Sequence, residues 1–339
     1  MRVMKILFHA RILVFLLALS TPLAVVSFAQ TSIYKAPVSG PFSGTQRVAL
    51  TYRAIFDIPA PISGEVRVTV PFPADDEVQR VEKYSFGSAM TPEKLLSVSL
   101  QREAIYGNRS LEIRVLNPAP GDELFFEYEI SRKEKSNSLD VAIKSDAKIL
   151  VAEKQYLSPV AKRPIADKYA DLASQIVTAQ MSNDESIRAI YRYALNNIDT
   201  KSSTYRSENI DSLIARAAKI AAKPEIGVLI PAGKDEGEIS EAHAWTNLFH
   251  PRRGWIPIDA FEGATKKRYL DYYLGNIGSD HITFAIGDDD HFEPSALGDL
   301  GIDSTRSSVP VIPMKMKISF KRLPASNPMI TPDQSAGME

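Results

Sequence analysis

Between about Gln46 and Ile130, apolar side chains recur at every second position. EVRVTV puts Val66, Val68 and Val70 on one face, SLEIRV does so with Leu111, Ile113 and Val115, and ELFFEYEI aligns Leu124, Phe126, Tyr128 and Ile130. Period two is the repeat of a half-buried strand. Turn chemistry separates the runs: Pro59-Ala60-Pro61, Pro71-Phe72-Pro73, Tyr106-Gly107-Asn108 and Pro118-Ala119-Pro120-Gly121. Alternation with regularly spaced turns predicts an antiparallel β-sandwich of about 100 residues.

The polar stretch SRKEKSNSLD, residues 131 to 140, reads as a linker, and beyond it the period becomes helical. Tyr169, Leu172, Ala173, Ile176 and Val177 fit one stripe. Ser182 with Glu185 three residues on is a capping box, opening a helix on which Ile187, Ile190, Tyr191, Ala194, Leu195 and Ile198 recur. A third helix is expected from about Glu208 to Ala222, with Ile210, Leu213, Ile214, Ala217 and Ala221 facing inward. After Pro224, EIGVLI, AHAWTNLF, GWIPIDAF and HITFAIG read as strands. Helices followed by strands, without βαβ alternation, predict an α+β fold for this half. The expected organisation is a leader over 1–29, a sandwich over 30–145, an α+β core over 146–300, and a C-terminal strand and tail over 301–339.

The leader is read from Arg2, Lys5 and Arg11 ahead of an apolar run from Ile12 to Leu19, and from the small-residue stretch ending at Ala29. That is the pattern of a cleaved secretory signal, and the run is short for a membrane span of about 20 residues. It implies a secreted or periplasmic protein with no transmembrane segment after cleavage. With no cysteine, the fold has no disulfides and no lipid-attachment thiol. Removing Arg2, Lys5 and Arg11 from 40 basic residues set against 41 acidic ones moves the net charge from −1 to about −4. Nucleic acid is therefore not an expected partner. Oligomeric state is not encoded in any pattern of the chain.

The candidate chemistry lies in EAHAWTNLFHPRRGWIPIDAF, residues 241 to 261. His243 and Asp259 fall on successive strands joined by the turn PRRG, and a hairpin brings them near each other if the register holds. A carboxylate there would orient the imidazole and stabilise its cation, as in any histidine-based triad. The alternative is a structural histidine in a tryptophan-rich hairpin, with Trp245 and Trp255 as its core rather than as substrate contacts.

The stretch resembles the transglutaminase-like family, whose core is related to papain-type cysteine proteases. HAW (243 to 245) and GWIPID (254 to 259) match the family's His and Asp motifs in order and spacing. IRAIYRYALNNI (187 to 198), LIARAAKIAAKPEIGVLIP (213 to 231) and RYLDYYLGNIGSDHITFAIGDD (268 to 289) resemble the flanking helix, helix-loop-strand and following strand. The β-rich first half is similar to the N-terminal domain of secreted bacterial members. The resemblance implies a nucleophilic cysteine opening the helix that leads into residue 213, and that position falls on Ser207 in TYRSENIDSLI.

Serine is not an equivalent nucleophile there. A thiolate–imidazolium pair is assisted by a helix N-terminus, whereas a hydroxyl must lose its proton within the reaction step. Serine is also a favoured helix N-cap. The tetrad SDAK (145 to 148) is an isolated match to S-x-x-K. No cofactor or metal is expected: His243, His250, His281 and His291 make no H-x-x-x-H pair, and DDDH (288 to 291) lacks the glycine and distal glutamate of a calcium loop. Asn108-Arg109-Ser110 fits a glycosylation sequon, which a turn between strands also explains.

Three functions follow. The first is a degenerate transglutaminase-like domain that binds a peptide or cell-envelope partner in a residual cleft lined by Trp245 and Trp255. The second is a hydrolase or acyltransferase using Ser207, His243 and Asp259. The third is a structural envelope protein acting through the sandwich, which would tolerate deletion of residues 151 to 339.

Overall fold

The computed structural model describes residues 44–144, 147–152, 154–157, 167–198, 210–287 and 314–324. The leader, Ser207, His291 and the rest of the acidic turn from 288 to 291 lie outside the described residues.

The first half contributes β1 (Thr45–Phe56), β2 (Glu65–Phe72), β3 (Gln79–Ser88), β4 (Leu95–Arg102), β5 (Arg109–Leu116), β6 (Glu123–Lys133) and the short β7 (Lys135–Ser136). Among the described residues, the second contributes α1 (Asp167–Ile176), α2 (Asn183–Asn197) and α3 (Ile210–Ala217). They are followed by β8 (Ala222–Leu229), β9 (Glu236–Ile239), β10 (Ala242–His250), β11 (Gly254–Ile258), the single-turn α4 (Ala260–Thr265), β12 (Asn276–Ile277), β13 (His281–Ile286) and β14 (Met314–Leu323). The fold is α+β, as the residue pattern predicts.

Among the described residues, all strand pairings are antiparallel. A sheet ordered β3-β6-β1-β14-β9 faces a second ordered β2-β5-β4 across one apolar layer. The alternating residues fill that layer: Val66, Val68 and Val70 from β2, Ile113 and Val115 from β5, Phe126 and Tyr128 from β6. β14 pairs with β1 along its length, from Arg47 opposite Leu323 to Phe56 opposite Met314. Its own alternation, MKMKISFKRL, sends Met314, Met316, Ile318 and Phe320 into the same layer. Val228, Ile230, Ile282 and Phe284 join this cluster, so the apolar core runs on from the sandwich into the second half.

A third sheet, β11-β10-β8-β13, carries the helices, and β12 pairs with β7 in a two-stranded fourth. Ile187, Ile190 and Tyr191 of α2 and Ile214 of α3 pack with Leu248, Ile256 and Ile258. The capping box forms as expected: Ser182 accepts from the Glu185 amide, and the Glu185 carboxylate accepts from the Ser182 amide.

Three local expectations differ from what forms. Residues 131 to 140, polar enough to read as a linker, hold the end of β6 and all of β7. Arg132 there is fully buried, because Gln79 and Thr283 accept its guanidinium protons. The third helix stops at Ala217 rather than near Ala222. Lys219 adopts a left-handed φ of 65° while the Ile220 amide reaches back to Ala215, which ends the helix without a glycine to announce it. The strand read through GWIPIDAF ends at Ile258, because Asp259 caps α4 by accepting the Glu262 amide.

Candidate functional site

β10 presents His243, Trp245 and Asn247 on one face, as alternation along a strand requires. Its neighbour β8 sets Gly227 opposite His243 and Glu225 opposite Trp245, and β13 then sets Thr283 opposite Gly227. Gly227 is needed at that crossing: a Cβ there would lie 1.8 Å from the Ile282 carbonyl oxygen. The close approach coincides with a register shift between Thr283 and Ala285. It brings the start of β13 over the face that holds His243.

Asp259 reaches the same face from the other side. Thr246 and Ile258 are the last β10–β11 pair before Asp259 leaves the strand. The Asp259 amide donates to the Tyr273 carbonyl at 3.0 Å. Its Oδ1 accepts the Glu262 amide at 2.8 Å, which aims Oδ2 back at the sheet. Oδ2 lies 2.6 Å from His243 Nε2 and 3.0 Å from His281 Nε2. His281 Nδ1 is in turn 2.8 Å from Asp280 Oδ1. Four side chains thus form one buried chain, Asp280–His281–Asp259–His243.

The proton positions follow from donor and acceptor counting. Carboxylates accept only, so both ring nitrogens of His281 carry protons and the ring is a cation. Burial opposes that charge, but the Asp280 carboxylate and the hydrogen bonds to Asp259 and Asp280 outweigh it, holding the His281 imidazolium up to about 9. Burial likewise opposes the charge on Asp259. The charge and hydrogen bond of His243, reinforced by His281, override it and keep this carboxyl well below the usual carboxylate range. His243 Nε2 is committed to Asp259, and among the described residues its Nδ1 has no hydrogen-bond partner.

Rings wall the couple in. The Trp245 indole stacks on His243 at 5.9 Å between centroids, and Phe261 meets it edge-on at 5.6 Å. Trp245 also meets His281 edge-on at 5.0 Å. Behind Trp245 lies a second polar cluster. Glu225 accepts the indole N–H at 3.0 Å, Asn247 Nδ2 at 2.8 Å, Lys135 Nζ at 3.2 Å and the Thr283 hydroxyl at 3.1 Å. Burial works against its charge, yet Lys135, Lys223 and Arg132 together hold the Glu225 carboxyl well below the usual range.

Of the residues singled out from sequence, His243 and Asp259 come together in hydrogen-bond contact. Trp245 is buried at 1% exposure, its N–H committed to Glu225. Trp255 is partly exposed, packed by Tyr156 and Phe249, with the Lys223 ammonium 5.0 Å over its ring. Ser207 lies outside the described residues. Asn108 is buried and both ends of its amide pair with the Ile286 backbone, so the sequon serves strand docking.

Sequence reading missed His281, Asp280, Asp211 and Glu225. The signal for the first two was the Asp-His pair opening the HITFAIG strand, passed over because His281 lacks a histidine at metal-ligand spacing. Asp211, on α3, is buried and accepts the Thr246 hydroxyl at 3.0 Å and the Ser212 amide at 2.8 Å. Burial pushes it up to about 6 against those bonds, with the nearby Asp259 charge adding to the rise. His243, Asp259 and His281 offer three donor atoms within 4.8 Å of one another, a spacing a metal ion could bridge. In this arrangement those atoms are joined by hydrogen bonds instead.

No protein-family model matches the sequence, and no curated protein matches it. Among solved structures, a candidate cysteine protease from Cytophaga hutchinsonii aligns over 84% of this chain and 93% of its own, with 11% identity and a TM-score of 0.50. The periplasmic domain of TgpA from Pseudomonas aeruginosa aligns over 70% of this chain and 100% of that one, with 14% identity and a TM-score of 0.29. Among the described residues, no helix is long and apolar enough to cross a membrane. The chain shares the α+β fold of that candidate cysteine protease, and it has no cysteine of its own.

Proposed function

We propose that this is an exported transglutaminase-like domain that has lost its nucleophile and binds a peptide or cell-envelope partner beside His243. The observation that carries the reading is the 2.6 Å contact between His243 Nε2 and Asp259 Oδ2 in a chain with no cysteine. An imidazole held by a buried carboxylate can accept a proton or a hydrogen bond at Nδ1, but acyl transfer through a covalent intermediate also needs an attacking atom. Trp255, partly exposed on the adjoining strand, offers the aromatic surface that peptide side chains pack against. Export is supported by the leader pattern over residues 1 to 29.

The test uses the chain lacking residues 1–29 and cell-wall stem peptides as probes, followed by calorimetry. Binding weakened at least tenfold in both His243→Ala and Trp255→Ala, with no peptide cleaved or transferred, is the expected result. Labelling by a serine-directed fluorophosphonate that disappears in Ser207→Ala would replace this reading with that of an active serine hydrolase.

A further inference from the structure

Asp259 Oδ2 is one oxygen with two imidazole donors, His243 Nε2 at 2.6 Å and His281 Nε2 at 3.0 Å. An orienting carboxylate needs only one histidine to orient. The second is fully buried, and its other nitrogen is held by Asp280 at 2.8 Å. We propose that His281, clamped between Asp259 and Asp280, is a positioning residue that keeps Asp259 ionised and thereby fixes His243 as the Nε2–H tautomer with Nδ1 bare.

The causal chain is electrostatic. Asp259 is 1% exposed, and an isolated carboxylate at such depth takes up a proton rather than stay charged. Its other hydrogen-bond partners are the His243 imidazole and one backbone amide. Asp211, another buried carboxyl, opposes its charge. Of the two imidazoles that reach Asp259, His281 is the one whose other ring nitrogen is held by a second carboxylate, and its charge adds to that of His243 in favouring the ionised form. Were Asp259 to become protonated, Oδ2–H would donate to His243 Nε2. The histidine proton would then sit on Nδ1, turning an acceptor into a donor. Asp280 matters because it accepts the second His281 proton and so keeps the ring cationic. The Asp280 charge also acts on the buried Arg132 guanidinium, which it stabilises. Three rings face His281: Trp245 at 5.0 Å, the His243 imidazole at 5.7 Å and Tyr273 at 6.3 Å between centroids. The Trp245 indole carries no charge to compete with it.

This assignment gives the working couple of the proposed site its proton arrangement, but its test needs no ligand and so can fail independently of peptide binding. The 15N-labelled chain is examined by long-range proton–nitrogen correlation at pH 7 to 8, with His243→Gln and His281→Gln used to assign the rings. In the unmodified protein, His281 should show both nitrogens protonated and His243 a proton on Nε2 alone. In His281→Gln, His243 should move to the Nδ1–H form, with Asp259 protonated. Asp280→Asn keeps both rings, covers the case in which the first variant does not fold, and should shift His243 the same way in part. A neutral His281 at pH 7 in the unmodified protein would overturn the assignment. So would an unchanged His243 tautomer in whichever variant retains the native circular dichroism spectrum.

Discussion

The indole N–H of Trp245 donates to the buried carboxylate of Glu225 at 3.0 Å, tying the ring that stacks on His243 to the strand beside it. Glu225 is the meeting point of β8, β10, β13 and the β6–β7 segment, since Trp245, Asn247, Thr283 and Lys135 all donate to it. Trp245→Phe should destabilise the protein by about 1–3 kcal/mol, through one buried acceptor losing a donor. Glu225→Ala should lose about 3–5 kcal/mol, because Lys135, Lys223 and Arg132 are then left without their common counter-charge. Urea denaturation of the two variants checks the order; equal losses would mean that the indole bond, not the charge cluster, does most to hold these strands together.

Stability should fall on the alkaline side through His281. Its ordinary value near 6.5 applies in the unfolded chain, and the folded value is about 9. A group raised on folding stabilises fully below the unfolded value and ceases to do so as pH climbs through the folded one. The protein should therefore lose about 3 kcal/mol between pH 6.5 and 9 from this group. The same titration in His281→Gln should be flatter by that amount, and parallel curves would contradict the assignment.

Asp211 titrates in the opposite direction to a salt-bridged carboxylate. Raised to about 6, it favours the native state when protonated and loses that contribution as pH rises from about 4 through 6. Asp211→Asn keeps an oxygen for the Thr246 hydroxyl and the Ser212 amide without the buried charge. Relative to the parent, the variant should gain about 2–3 kcal/mol on going from pH 4 to pH 7. Chemical denaturation at the two pH values measures it. A gain that is the same at both would point to packing rather than ionisation.

Gly227→Ala should be among the most damaging single changes in the sheet. The new methyl would meet the Ile282 backbone at 1.8 Å, so β13 must move, carrying His281 and Thr283 with it. Gly233 provides the control: it has a left-handed φ of 68° but open space around its Cβ. Its alanine variant should lose only about 1 kcal/mol, from backbone strain. A larger loss of thermal stability at Gly233 than at Gly227 would show that β13 gives way easily.

Much of the architecture is written locally. Val66, Val68 and Val70, or Phe126 and Tyr128, declare a buried face by alternation alone, and Ser182 with Glu185 declares a helix start. His243 and Asp259 were legible as a pair because a short turn joins β10 to β11 and Asp259 follows β11 directly. Arg132 was illegible for the opposite reason. A charged residue in a polar stretch reads as solvated until Gln79 and Thr283, from elsewhere in the chain, are seen to accept its protons. Lys219 ends a helix in a conformation that sequence ordinarily assigns to glycine.

By itself the sequence determined the strand and helix periods, the lack of any thiol nucleophile, and the placing of His243 and Asp259 on either side of one short turn, since each depends on residues close along the chain. Only the tertiary structure decided that β14 enters the sheet beside β1, that β8 separates β10 from β13, and that His281 shares Asp259 with His243. Those relations join segments far apart in sequence. Their register is set by packing and by close backbone approach at Gly227, and no local pattern records either.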